Sequence, residues 1–246
     1  MHYIPILSTL VTFAFAAAVL SRYRYKKGHH LLFWGLGLIL YGLGTLSEVI
    51  LGFTFSATVL KIWYLSGAML TAAWLGQGTI FLLVRRRGLA TSLAIALALV
   101  SLASIGLLLA APVSAAAAAA YNLSQPVSAQ YKEILVRNGG IIALTIILNI
   151  YGTLGLVGGA LYSTYLFLRK HVLVNRMWGN ILIAAGALMP AMAGSFIKAG
   201  LADWLYVSEL VGVVLMYIGF LRATASPVTE PKAVASVDVP PAPTSP

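Results

Sequence analysis

The sequence predicts an all-α integral membrane protein: a bundle of seven transmembrane helices with the N-terminus outside and the C-terminus inside. Three observations predict it, namely apolar stretches of spanning length, a scarcity of charge, and basic residues gathered on one side. The hydrocarbon core of a bilayer is about 30 Å thick and a helix rises about 1.5 Å per residue, so roughly 20 mostly apolar residues cross it. Such stretches run Ile4–Leu20, Leu31–Phe53, Ile62–Val84, Leu89–Ala111, Ile141–Leu168, Met177–Ile197 and Trp204–Leu221. Of the 246 residues, 60% are hydrophobic and 9% charged, with a mean hydropathy of +0.93, which leaves little from which to build a water-soluble domain.

The first stretch follows only Met1, His2 and Tyr3, without the basic segment of a secretory signal, and its charges come after it at Arg22, Arg24, Lys26 and Lys27. It is therefore read as a retained helix. Orientation follows from the loops. Those four residues, Arg85 to Arg87, Arg169, Lys170, Arg176, Arg222 and Lys232 all fall on one side of a seven-span chain, and only Lys61, Lys132, Arg137 and Lys198 on the other. Positive residues stay cytoplasmic, so the N-terminus is expected outside. The formal net charge of +10 is thus a matter of lipid headgroups and insertion, and nucleic acid is not an expected partner. Cysteine is absent, which removes disulfides and thiolate metal sites.

Two segments interrupt the pattern of spans. The external loop from Pro112 to Gly140 contains the run Ala115–Ala120 and a polar stretch, Ser128–Arg137. It is expected to be a connector, with a short surface helix as the alternative. After Arg222 the composition turns to Pro, Ala, Val, Thr and Ser, so residues 223–246 are expected to form a disordered cytoplasmic tail beyond a transmembrane domain of residues 1–222. A three-plus-one-plus-three parallel repeat is suggested by the order Glu48, Lys61, Trp63, Tyr64, Ser66 in one half against Lys198, Trp204, Tyr206, Ser208, Glu209 in the other. The Pro-Gln dipeptide that marks one transporter family of that type is missing from the spans.

Charges at membrane depth are the most informative positions, because an ionisable group in hydrocarbon costs at least about 2.5–3.5 kcal/mol and must find a partner or water. Glu48 and Glu209 each lie roughly 7 Å inside the outer end of a span, and Lys61 and Lys198 stand at outer ends. Gly37, Tyr41, Gly44 and Glu48 share one face of the second span, and Asn149, Gly152, Gly155 and Gly159 one face of the fifth. Ala187, Ala191, Gly194 and Lys198 do so on the sixth, where Pro190 should introduce a kink, and Glu209, Gly212 and Met216 on the seventh. Straight helical spacing also places Trp63, Gly67, Leu70, Trp74 and Gln77 together on the third.

These positions suggest an outer polar site for a small solute or ion, made by Glu48, Glu209, Lys61, Lys198, Tyr41 and Asn149. The competing expectation is structural: Glu48 and Glu209 each paired with a lysine. Histidines 29, 30 and 171 fall in loops and no catalytic, haem, retinal or phosphate-binding pattern is visible, so neither a cofactor, a metal nor an enzyme activity is expected. A carrier is the leading expectation. The alternatives are an accessory subunit of a membrane complex, with a protein partner or a homo-oligomer, and a sensor acting through a separate partner. The Ala- and Gly-rich composition fits a high-GC bacterial genome, so a bacterial inner membrane is the expected location.

Overall fold

The computed structural model describes residues 3–84, 86, 88–170, 174–191 and 202–225. Among these the secondary structure is helical, without strands; one isolated antiparallel bridge joins Val113 to Leu135. In chain order the helices are α1 (Tyr3–Lys26), α2 (His29–Phe53), α3 (Ala57–Trp63), α4 (Thr71–Leu83), α5 (Leu89–Ala110), α6 (Ala115–Ala119) and α7 (Val127–Ile134). They continue with α8 (Gly139–Thr153), α9 (Gly159–Lys170), α10 (Val174–Ala191) and α11 (Ala202–Thr224). A π-helical segment, Tyr64–Leu70, joins α3 to α4, and a second, Leu154–Gly158, joins α8 to α9.

Six helices among the described residues are long and apolar enough to cross a membrane, counting Ala57–Leu83 and Gly139–Arg169 as continuous rods. This is compatible with a multi-pass membrane protein. Their outward faces carry large apolar side chains such as Leu99, Leu102, Leu109 and Leu154, each more than half exposed, as a lipid-facing surface requires. Of the expected sixth span, Met177–Ile197, residues 177–191 fall in α10; Gly194, Lys198, His171 and the tail from 226 onward lie outside the described residues.

The helices form a closed circuit. α1 packs on α2, α2 on α4, α4 on α8 and on the second π segment, α9 on α10, α10 on α11, and α11 back on α1. α5 stands outside it, touching α4, α8 and the first π segment. Glycines set the closest seams, since two helices in lipid gain by backbone approach what they cannot gain by expelling water. A Cβ on Gly152 would lie 2.1 Å from the backbone of Ala72, and one on Gly76 would lie 2.8 Å from the carbonyl oxygen of Gly152. Gly44 meets Gly67, and Gly186 meets Gly212, in the same way. At one end Arg22 of α1 donates to the Thr224 carbonyl of α11 at 2.7 Å, covering one of the orphan acceptors at that helix end.

The first π segment has local causes. Thr71 Oγ1 donates to the Ser66 carbonyl five residues back, and Asn149 Nδ2 donates to the Ala68 carbonyl from the neighbouring rod, so side chains satisfy the displaced acceptors. Its effect overturns the straight-helix reading of this rod. Adding a residue to a turn rotates all that follows by about 100°. Trp63 and Gly67 accordingly face α2, whereas Trp74 and Gln77 reach Ser101 and the Ala90 carbonyl of α5.

The loop between α5 and α8 is a folded cap, not a plain connector. Backbone hydrogen bonds from Ser114 N to the Ile134 carbonyl and from Val136 N to the Pro112 carbonyl close its base. Gln130 ties the arch: its Oε1 accepts from Asn122 N, and its Nε2 donates to the carbonyls of Asn122 and Gln125. Val127, Ile134 and Leu135 are buried in one cluster with Leu51, Leu60 and Trp63, so the cap is seated on the ends of α2 and α3. Arg137 stacks over Tyr131 at 4.8 Å, and burial pushes the Tyr131 phenol up while the Arg137 charge opposes the shift.

Candidate functional site

The site is built on α2. Gly37, Tyr41, Gly44 and Glu48 are all buried on its inner face, the glycines letting Leu75 and Gly67 approach. That approach brings Trp63 over the last of the four. Trp63 Nε1 donates to Glu48 Oε1 at 2.9 Å, while Glu48 Oε2 is buried with no hydrogen-bond donor among the described residues. Glu48 is 6% exposed, so water does not supply that donor in bulk.

α11 provides the opposing group. The carboxyl of Glu209 lies within side-chain hydrogen-bonding reach of that of Glu48. Tyr41 lies in electrostatic reach of both, and its hydroxyl donates to the Glu209 backbone carbonyl at 3.3 Å. α1 packs along α2 and carries buried hydroxyls of its own. Thr9 Oγ1 bonds Thr45 Oγ1 at 3.0 Å, and Ser8 Oγ is a second buried atom without a partner among the described residues.

Above Glu48 is a small cavity, about 60 Å³ as the space open to the centre of a water molecule, lined by Pro5, Glu48, Gly52, Tyr121, Pro126 and Tyr206. At roughly 10–15 Å³ for each water on that measure, it holds a handful of waters or one small ion. It does not hold a metabolite. The cap forms its outer wall through Tyr121, and burial together with the nearby negative charge of Glu48 pushes the Tyr121 phenol up to about 12. Below Tyr41 the polar character stops: Phe15, Leu38, Leu75, Met216 and Phe220 pack as one apolar cluster.

The structure therefore brings together three of the six expected site residues, Glu48, Glu209 and Tyr41. It sends two elsewhere. Lys61 Nζ donates to the Leu109 carbonyl at 2.8 Å, so the Glu48–Lys61 ion pair is not formed. Asn149 bonds the carbonyls of Ala68 and Thr145 and serves the π segment. Lys198, the sixth, lies outside the described residues. Sequence reasoning did not single out Tyr121, which reaches Glu48 only because the cap folds back over α2.

Two carboxyl groups in mutual reach, Glu48 buried and Glu209 half-buried, cannot both carry full charge unprotected. They share a proton or admit a cation between them. Among the described residues no three His, Cys, Asp or Glu side chains are grouped to hold a metal ion. The arrangement offers two carboxyls, hydroxyls and a space of a few waters, which is chemistry for a proton or a small monovalent cation. Compared with models of known protein families, with curated proteins and with solved structures, the chain matches none.

Proposed function

We propose that the protein is a seven-span carrier, N-terminus outside, that binds a proton or a small monovalent cation between Glu48 and Glu209. The observation that carries this reading is the buried Glu48 Oε2, without a donor among the described residues, at the wall of a cavity of a few waters and with a second carboxyl in reach of Glu48. The helix circuit supports the three-plus-one-plus-three organisation. Under that correspondence α1 on α2 matches α9 on α10, α2 on α4 matches α10 on α11, α4 on α8 matches α11 on α1, and α5 is the linker outside the circuit. The apolar cluster beneath Tyr41 fits an outward-facing state whose inner gate is shut.

The test is a thermal-stability titration of the purified protein in nanodiscs against sodium, potassium and pH, followed by cation and proton flux into liposomes. Binding at a hundredfold excess over Kd stabilises by about 2.7 kcal/mol. That shift and the flux are expected in the wild type and absent from the Glu48→Gln, Glu209→Gln double variant. An equal shift in the double variant, or none in either protein, would sink the reading. The same closed inner cluster favours one second reading, an outward-facing sensor, which a carboxyl-dependent shift without flux would select.

A further inference from the structure

Lys61, released from the carboxyl site, stands in a groove of its own. The groove runs between α3 with its following π segment and the end of α5, has a volume of about 450 Å³, and is lined by Thr58, Lys61, Leu65, Ile105, Leu108 and Leu109 among others. It lies on the outside of the helix circuit, where α5 packs only lightly. Its chemistry is graded along its length. Thr58 and Lys61 occupy the end nearer the cap. Leu65 stands one helical turn, roughly 6 Å, deeper, opposite Ile105, and the lipid-facing side chains of Leu102 and Leu99 continue below it.

Lys61 has three ammonium donors, and one is used on the Leu109 carbonyl at the C-terminal end of α5. The residues lining the groove include no acid to balance the charge. A cation above an apolar furrow at membrane depth is the complement of one amphiphile, an anion joined to a hydrocarbon chain. We propose that this groove holds an anionic phospholipid of the leaflet on the cap side, its phosphate on Lys61 Nζ and the Thr58 hydroxyl and one acyl chain between Leu65 and Ile105. The lipid would also complete the packing of α5.

The experiment is native mass spectrometry of the delipidated full chain titrated with phosphatidylglycerol and, in parallel, phosphatidylcholine. The wild type is expected to retain phosphatidylglycerol roughly fivefold better, the worth of one lysine near the surface. Lys61→Gln should lose that preference and Lys61→Arg keep it, while Ile105→Trp, which fills the furrow and leaves the charge, should lower retention of both lipids. Should Lys61→Gln fold poorly, the Lys61→Arg and Ile105→Trp arms still decide the matter. An unchanged preference in Lys61→Gln, or unchanged retention in Ile105→Trp, would overturn the assignment. So would a dimer without lipid that Ile105→Trp abolishes, since a second copy of the chain would then cover the groove.

Discussion

At the cap end, carboxyls and hydroxyls stand at membrane depth beneath a folded loop; at the basic end, the interior is filled by Phe15, Leu38, Leu75, Met216 and Phe220. The contrast shows where this chain can carry the cost of burying polar groups. An unpartnered polar group in an apolar interior costs about 1–3 kcal/mol by mutational measure, and a charge more. The chain places that cost beside a cavity of a few waters and covers it with a cap. At the opposite end the buried hydroxyls Thr79 and Thr164, among the described residues, have partners: Thr79 accepts from Trp34 of a neighbouring helix and Thr164 donates to the Ala160 carbonyl of its own.

The strongest way to break this division is at the seam that holds the rods together between the two ends. Gly152→Val would force side-chain carbon into the backbone of Ala72 and should cost about 3 kcal/mol or more, read as lost thermal stability in detergent. Gly106→Val on α5, where an added Cβ meets nothing within 4 Å, should change stability by less than about 0.5 kcal/mol. Equal effects of the two would mean that the glycine seam does not carry the fold.

A second pair compares the ends directly. Leu38→Gln puts an amide into the apolar cluster at a position 1% exposed, and should destabilise by about 3 kcal/mol through lost packing and an unsatisfied polar group. Glu48→Gln, also at a buried position, should stay within about 1 kcal/mol of the cation-free wild type, because its amide oxygen still accepts from Trp63 and its amide nitrogen can donate to Glu209. Chemical denaturation of both variants in parallel checks this. A large cost for Glu48→Gln would make the carboxyl structural, in line with the ion-pair alternative that the sequence also allowed.

Much of this division was legible in the residues. Periodicity put Gly37, Tyr41, Gly44 and Glu48 on one face, and Gly152, Gly155 and Gly159 on another, and these do line the seams. What periodicity cannot give is which faces meet. Lys61 stands at the outer end of the span that follows the one carrying Glu48, yet its side chain lies in the groove on the α5 side, where the Leu109 carbonyl takes the ammonium. Span three misled for a different reason: one π turn changes the register, and its causes, Thr71 and Asn149, are hydrogen bonds visible only once the rods are packed. The cap was missed because Ala-rich and polar residues look like a connector until Val127, Ile134 and Leu135 are seen to share one core with Trp63.

The smallest expected effect sharpens the contrast most, because it separates a cover from a ligand. Gln130→Ala removes the bonds that tie the cap's arch at Asn122 and Gln125, groups exposed enough for water to replace it, so the stability cost should be only about 1 kcal/mol. Hydrogen exchange should accelerate roughly fivefold across residues 121–127 and stay unchanged at the basic end. If the cap merely covers the cavity, loosening it speeds entry and exit of the cation alike and leaves the equilibrium affinity where it was. If Tyr121, held close enough to sense the charge on Glu48, contributes its oxygen to the bound cation, affinity falls as well. A change in rates alone therefore makes the loop a lid, and a change in affinity makes it part of the site.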